Sequence, residues 1–106
     1  MNKVQVWDEA GFRAAVSSGD LVLADFYSEW CGPCKIQAKN LDETIAEIPE
    51  TVRVGKIDIT EAPSAAAEYG ITVIPTLMLF RDGTILETCT GVCSRENLLA
   101  LLKKHL

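Results

Sequence analysis

No apolar run in these 106 residues approaches the roughly 20 residues that a membrane-spanning helix needs. Basic clusters are equally scarce. The longest is Lys103-Lys104, and the net charge is −5. That argues against nucleic acid and against anionic membrane surfaces as partners. Histidine occurs once, as His105, so metal sites built on imidazole have little to draw on. The opening "MNKVQVWDEAGF" lacks the apolar centre and small-residue cleavage site of a secretion signal. A cytoplasmic protein is therefore expected, and with it reduced or reactive cysteines rather than structural disulfides. There is no repeat, no low-complexity tract and no linker. The expectation is one domain, residues 1–106, around one core.

Hydrophobic residues make up 48 % of the chain and charged residues 24 %, an ordinary globular balance. Turn signals punctuate it at Ser17-Ser18-Gly19-Asp20, Gly70, Asp82-Gly83 and Gly91. Lys3–Trp7 reads as a short strand. Asp8–Val16 reads as a helix capped by Asp8. In "LVLADFY", Leu21, Leu23 and Tyr27 line one face and Val22, Ala24 and Phe26 the other. Such a strand belongs at the centre of a sheet covered on both sides. Pro33 to Ile48 is helical, with Ile36, Leu41, Thr44, Ile45 and Ile48 as its inward face. Thr51–Ile59 is a strand, and Ala62–Tyr69 a short helix stopped by Gly70. Asp82-Gly83 between "TLMLF" and "TILETC" predicts an antiparallel hairpin. Ser94 caps the last helix, which buries Leu98, Leu101 and Leu102 and ends in Lys103-Lys104. The order βαβαβαββα implies an α/β fold. Its mixed sheet of about five strands would be parallel through the helical crossovers, close with one hairpin and carry helices on both faces.

The chemistry concentrates in "SEWCGPCKIQ". Cys31 and Cys34 fall where the central strand hands over to a helix. Unpaired N–H groups and the helix dipole favour negative charge there, and Lys35 adds a positive one. A thiolate on Cys31 is therefore stabilised, and the thiolate is the attacking species. Pro33 fits the first helical turn, where no intrahelical bond needs its missing N–H. Residues three apart share a helix face. Cys34 can thus attack a mixed disulfide held on Cys31 and release the bound thiol. A zinc site would need four ligands, and only Cys89, Cys93 and His105 remain to complete one. Two inert buried thiols are the third reading. His105, at the end of the last helix, reads as a favourable terminal charge.

"ADFYSEWCGPCK" resembles the active-site segment of thioredoxins, and so do "VGKIDI", "YGITVIPTLMLFRDG" and the Thr90-Gly91 pair before the last helix. The resemblance spans nearly the whole chain. It implies the thioredoxin fold and a protein-disulfide reductase in which Cys31 attacks and Cys34 resolves. It further implies no bound cofactor, disulfide-containing protein substrates, and re-reduction by a thioredoxin reductase, either flavin NADPH-dependent or ferredoxin-dependent. A monomer is expected, because no second large apolar face is left over.

Asp25 stands out from the residues alone as a carboxylate among apolar neighbours on a central strand. Burial would raise its pKa towards neutrality. The resemblance gives it proton transfer with Cys34, and makes Lys56 the cation that tunes it. It also implies a cis Ile74–Pro75 bond, which the rarity of cis X-Pro bonds would not suggest. Ile74 would then offer its backbone to an extended substrate segment. By position, the docking surface comprises Trp30, Gly32, Pro33, Ile74, Pro75, Gly91 and Val92.

Three positions depart from the family pattern. Lys39 replaces a proline that usually kinks this helix, so a more regular helix is expected. Tyr27 stands where Trp is common, and its hydroxyl needs a partner or water. Cys89 and Cys93 are additional. On one straight strand their Cα atoms would lie about 13 Å apart, beyond disulfide reach. Only a tight reversal at Gly91-Val92 would join them. Two free thiols are expected, with a regulatory effect on the docking surface if they are oxidised. Two other functions compete with reduction. A net oxidant or isomerase would need a more acidic Cys31, and Gly32-Pro33 supplies no histidine for that. A binding or processivity subunit would use the fold without turnover, and would not need both cysteines.

Overall fold

The computed structural model describes all 106 residues. Its elements are β1 (Val4–Val6), α1 (Glu9–Val16), β2 (Leu21–Tyr27), α2 (Gly32–Thr44) and β3 (Val52–Asp58), followed by α3 (Pro63–Glu68), β4 (Thr76–Arg81), β5 (Thr84–Thr90) and α4 (Arg95–Lys103). A 3-10 turn, Ile45–Glu47, closes α2. Caps are where polar side chains offer acceptors. Asp8 accepts from Gly11 N–H at 2.7 Å, and Ser94 from Asn97 N–H at 3.2 Å. Helix α3 has no side-chain cap of its own. Glu9 of α1 supplies the missing acceptor to Ala65 N–H at 2.9 Å.

The five strands form one sheet in the order β1-β3-β2-β4-β5. β2 lies at its centre, and pairs with β3 in parallel and with β4 antiparallel. Its alternation divides the core. Val22, Ala24 and Phe26 pack on the α1/α3 side with Phe12, Ala65 and Phe80. Leu21 and Leu23 pack on the α2/α4 side with Leu41, Leu98 and Leu102. Phe12 lies edge-to-face with Phe26, Tyr69 and Phe80 at centroid distances of 5.5, 5.6 and 5.8 Å. The Asp82-Gly83 turn takes positive φ at both residues, 52° and 77°, which suits the twist of a two-residue hairpin. No helix is long and apolar enough to cross a membrane.

Two expectations need correction. Strand direction is not kept through the third crossover, because β4 runs antiparallel to β2. The six residues of α3 span only about 9 Å at 1.5 Å per residue. A return along a full strand needs about 20 Å or more. The chain therefore re-enters the sheet at the end it left. The inward face of α2 also differs. Ile36 is exposed, and the buried stripe is Cys34, Gln37, Leu41 and Thr44, spaced three, seven and ten residues from the first. Ile36 is one helical step, about 100°, off that line. At Lys39, which is exposed, α2 continues without interruption.

Candidate active site

Cys31 is the N-cap of α2. Its extended backbone, φ −103° and ψ 110°, lets its sulfur accept a hydrogen bond from Cys34 N–H at 3.2 Å. Pro33 lies in the first turn, where its missing N–H leaves no bond unmade. The two cysteines are joined as a disulfide, with Cα atoms 5.2 Å apart. They differ in access. Cys31 is partly exposed, whereas Cys34 is 4 % exposed. The first turn of α2 directs free N–H groups and the positive end of the helix dipole at Cys31. Once the bond is reduced, that environment favours the thiolate on the sulfur a substrate can reach.

Beneath α2, Asp25 stands beside Lys56 in the β2–β3 register. Alternation puts Asp25 on the same side of the sheet as Leu21 and Leu23, the side α2 covers. The residue is 1 % exposed, and neither carboxylate oxygen has a hydrogen-bond partner. Burial pushes its carboxyl up to about 7, and the Lys56 ammonium partly offsets this. The Lys56 Nζ lies 5.2 Å from the ring centroid of half-buried Tyr27. A small cleft lined by Tyr27, Cys34, Lys35, Ala38 and Lys56 opens beside the pair. A larger hollow around Leu21, Pro49, Arg81 and His105 lies at the opposite end of β2 and contains no cysteine.

Three chain segments surround the exposed sulfur. Trp30 is 94 % exposed, so it presents its indole to solvent rather than packing inward. The Ile74–Pro75 peptide is cis, and Ile74 O lies 3.8 Å from Cys31 Sγ. Gly91, at φ 80°, turns the chain after β5 and donates its N–H to Pro75 O at 2.8 Å. Gly32, Pro33 and Val92 are exposed around these groups. Val73, 47 % exposed, extends the apolar surface. It was not anticipated from sequence, although its place directly before Ile74 was the available signal.

Cys89 and Cys93 are free thiols. The turn at Gly91 brings them together, and both pack into the α2/α4 side of the core. Cys93 is fully buried. Burial and a hydrogen bond with Cys89 push its thiol up to about 12. No three His, Cys, Asp or Glu side chains converge as metal ligands would. His105 Nε2 instead lies 2.8 Å from Glu87 Oε2.

A family model described as Thioredoxin matches residues 3–104. The chain is 42 % identical to the thioredoxin of Chlamydia trachomatis over 102 residues, covering 96 % of this chain and 98 % of that one. It is 42 % identical to the thioredoxin of Bacillus subtilis over 98 residues, covering 92 % and 93 %. The crystal structure of Malassezia sympodialis thioredoxin superposes with a TM-score of 0.88 at 30 % identity, covering 99 % of this chain and 92 % of that one.

Proposed function

The chain belongs to the thioredoxin family and is a thiol–disulfide oxidoreductase, and from that premise we propose the roles of its residues and partners. The observation that carries the reading is the asymmetry of the pair, a reachable Cys31 at a helix N-terminus and a buried Cys34 on the helix that covers the Asp25 face of the sheet. The Cys31 thiolate attacks one sulfur of a substrate protein's disulfide. That S–S bond breaks, the other substrate sulfur leaves as a thiolate that takes a proton from solvent, and a mixed disulfide forms on Cys31. Asp25, ionised, takes the proton of the Cys34 thiol by way of the cleft beside Lys56. The Cys34 thiolate then attacks Cys31 Sγ and expels the second substrate sulfur as a thiolate, which takes up the proton held by Asp25. The substrate has gained two electrons and two protons, and the Cys31–Cys34 disulfide remains. A thioredoxin reductase restores the dithiol, so no cofactor resides on this chain.

Docking uses Trp30, Gly32, Pro33, Ile74, Pro75, Gly91 and Val92, with the Ile74 backbone pairing to an extended substrate segment. This reading has the protein act as a cytoplasmic monomer. Trapping tests it. With Cys34→Ser, turnover of a disulfide-containing protein such as insulin stops and a covalent adduct through Cys31 accumulates. If insulin reduction proceeds undiminished, Cys34 is not the resolving thiol. A subunit that only binds would show no adduct and no turnover in either form.

A further inference from the structure

Between the end of β5 at Thr90 and the start of α4 at Arg95 the chain belongs to neither ladder nor helix. Cys93 lies in this stretch and is fully buried, so its N–H and C=O must find partners elsewhere. Both find the same side chain. Gln37 Oε1 accepts from Cys93 N–H at 2.6 Å, and Gln37 Nε2 donates to Cys93 O at 3.3 Å. Asn40 Nδ2 also donates to Cys93 O, at 3.3 Å. Gln37 is itself 0 % exposed and sits one helical turn beyond Cys34. A leucine of similar volume would fill this place without the cost of desolvating an amide. What the amide adds is direction, because two bonds hold the loop backbone in one orientation to the redox helix.

These bonds complete a closed circuit around the reactive sulfur. Ile74 O approaches Cys31 Sγ at 3.8 Å. Cys31 caps α2, and α2 carries Gln37 to Cys93. From Cys93 the chain leads back through Val92 to Gly91, whose N–H returns to Pro75 O at 2.8 Å. The three segments of the docking surface are thus tied together, and Gln37 makes two of the three side-chain bonds that link the third segment to the helix, Asn40 making the other.

We propose that Gln37 is a positioning residue for macromolecular substrates, setting the Gly91–Cys93 segment against the Cys31–Cys34 helix so that an extended protein segment meets all three walls at once. The inference rests on the docking surface described above. A small disulfide needs only the Cys31 sulfur and does not span the walls. Gln37 therefore acts on protein substrates and not on small ones.

The test compares Gln37→Leu and Gln37→Met with the unaltered protein, using insulin and the small aromatic disulfide 5,5′-dithiobis(2-nitrobenzoic acid). Met keeps the length of the side chain and removes only its amide, so it carries the test if Leu perturbs folding. The expected result is a KM for insulin raised about three- to ten-fold with kcat nearly unchanged, the pattern of lost uniform binding. The rate with the small disulfide stays the same, and the Cys93 amide exchanges its hydrogen faster. An unchanged insulin KM, or equal losses on both substrates, overturns the inference. If the unaltered protein does not reduce insulin, the proposed function itself fails, and that result is separate from any difference between variants.

Discussion

Asp25 is the residue whose ionisation the fold opposes most plainly. Burial pushes its carboxyl up to about 7, from an ordinary 3.8. The raised folded value means the folded state keeps a proton that the unfolded chain has lost. Stability from this group is intact below the unfolded pKa, declines as the pH rises towards 7, and stays reduced above it. An uncharged Asp25→Asn protein should therefore gain over the unaltered one by up to about 4 kcal/mol at pH 8, and little at pH 3. Denaturant midpoints across that range give the comparison. A difference that does not vary with pH would contradict a buried, titrating Asp25. The loss of a proton acceptor should also slow release of the mixed disulfide. Cys93 makes the same case in a thiol, which burial also keeps protonated. It is fully buried and pushed up to about 12, so its nucleophilic form is scarce. With the Cys31–Cys34 bond closed, iodoacetamide should label Cys89 alone, and Cys93 only after unfolding. Mass spectrometry that finds both labelled in the folded protein would show that the turn at Gly91 opens freely.

At the scale of elements, the sheet depends on a glycine that periodicity does not single out. A Cβ on Gly55 would lie 2.5 Å from the ring of Trp7, which packs over β3. Gly55→Ala should cost about 1–3 kcal/mol, as overpacking does, and shift the Trp7 fluorescence. An unchanged Tm would mean that the Trp7 ring moves aside at no cost. The legible elements are those with short-range signals: the Asp8 and Ser94 caps, the Asp82-Gly83 turn and the two-faced β2. The direction of β4 was not legible, because it depends on whether six residues of α3 suffice to cross the sheet. The inward face of α2 is hidden from the sequence for a different reason. Hydrophobicity favours Ile36, yet the buried position is Gln37, whose amide is matched by the Cys93 peptide 56 residues away. No local pattern contains such a partner. The cysteine pair was legible by spacing at a strand–helix junction. The proximity of Cys89 and Cys93 depended on the left-handed backbone at Gly91.

For the whole molecule, the arrangement is a rigid two-faced sheet that delivers one reachable sulfur to a small apolar surface. Trp30, Val73 and Val92 are exposed there at 94, 47 and 42 %. Such a surface suits many loop-borne disulfides better than one shaped partner. The direction of electron flow depends on how strongly the protein stabilises the thiolate relative to the disulfide. A modest helix-terminal effect without a histidine at Gly32-Pro33 leaves the dithiol a strong reductant, whereas a heavily stabilised thiolate would make the pair an oxidant. The most direct test is the reduction potential of the Cys31–Cys34 couple, titrated against dithiothreitol in a Cys89→Ser/Cys93→Ser protein so that one couple is read. A value more reducing than the glutathione pool is expected. A value at the oxidising end of the thiol–disulfide scale would contradict that expectation, and would make the protein a donor of disulfides rather than their reductant.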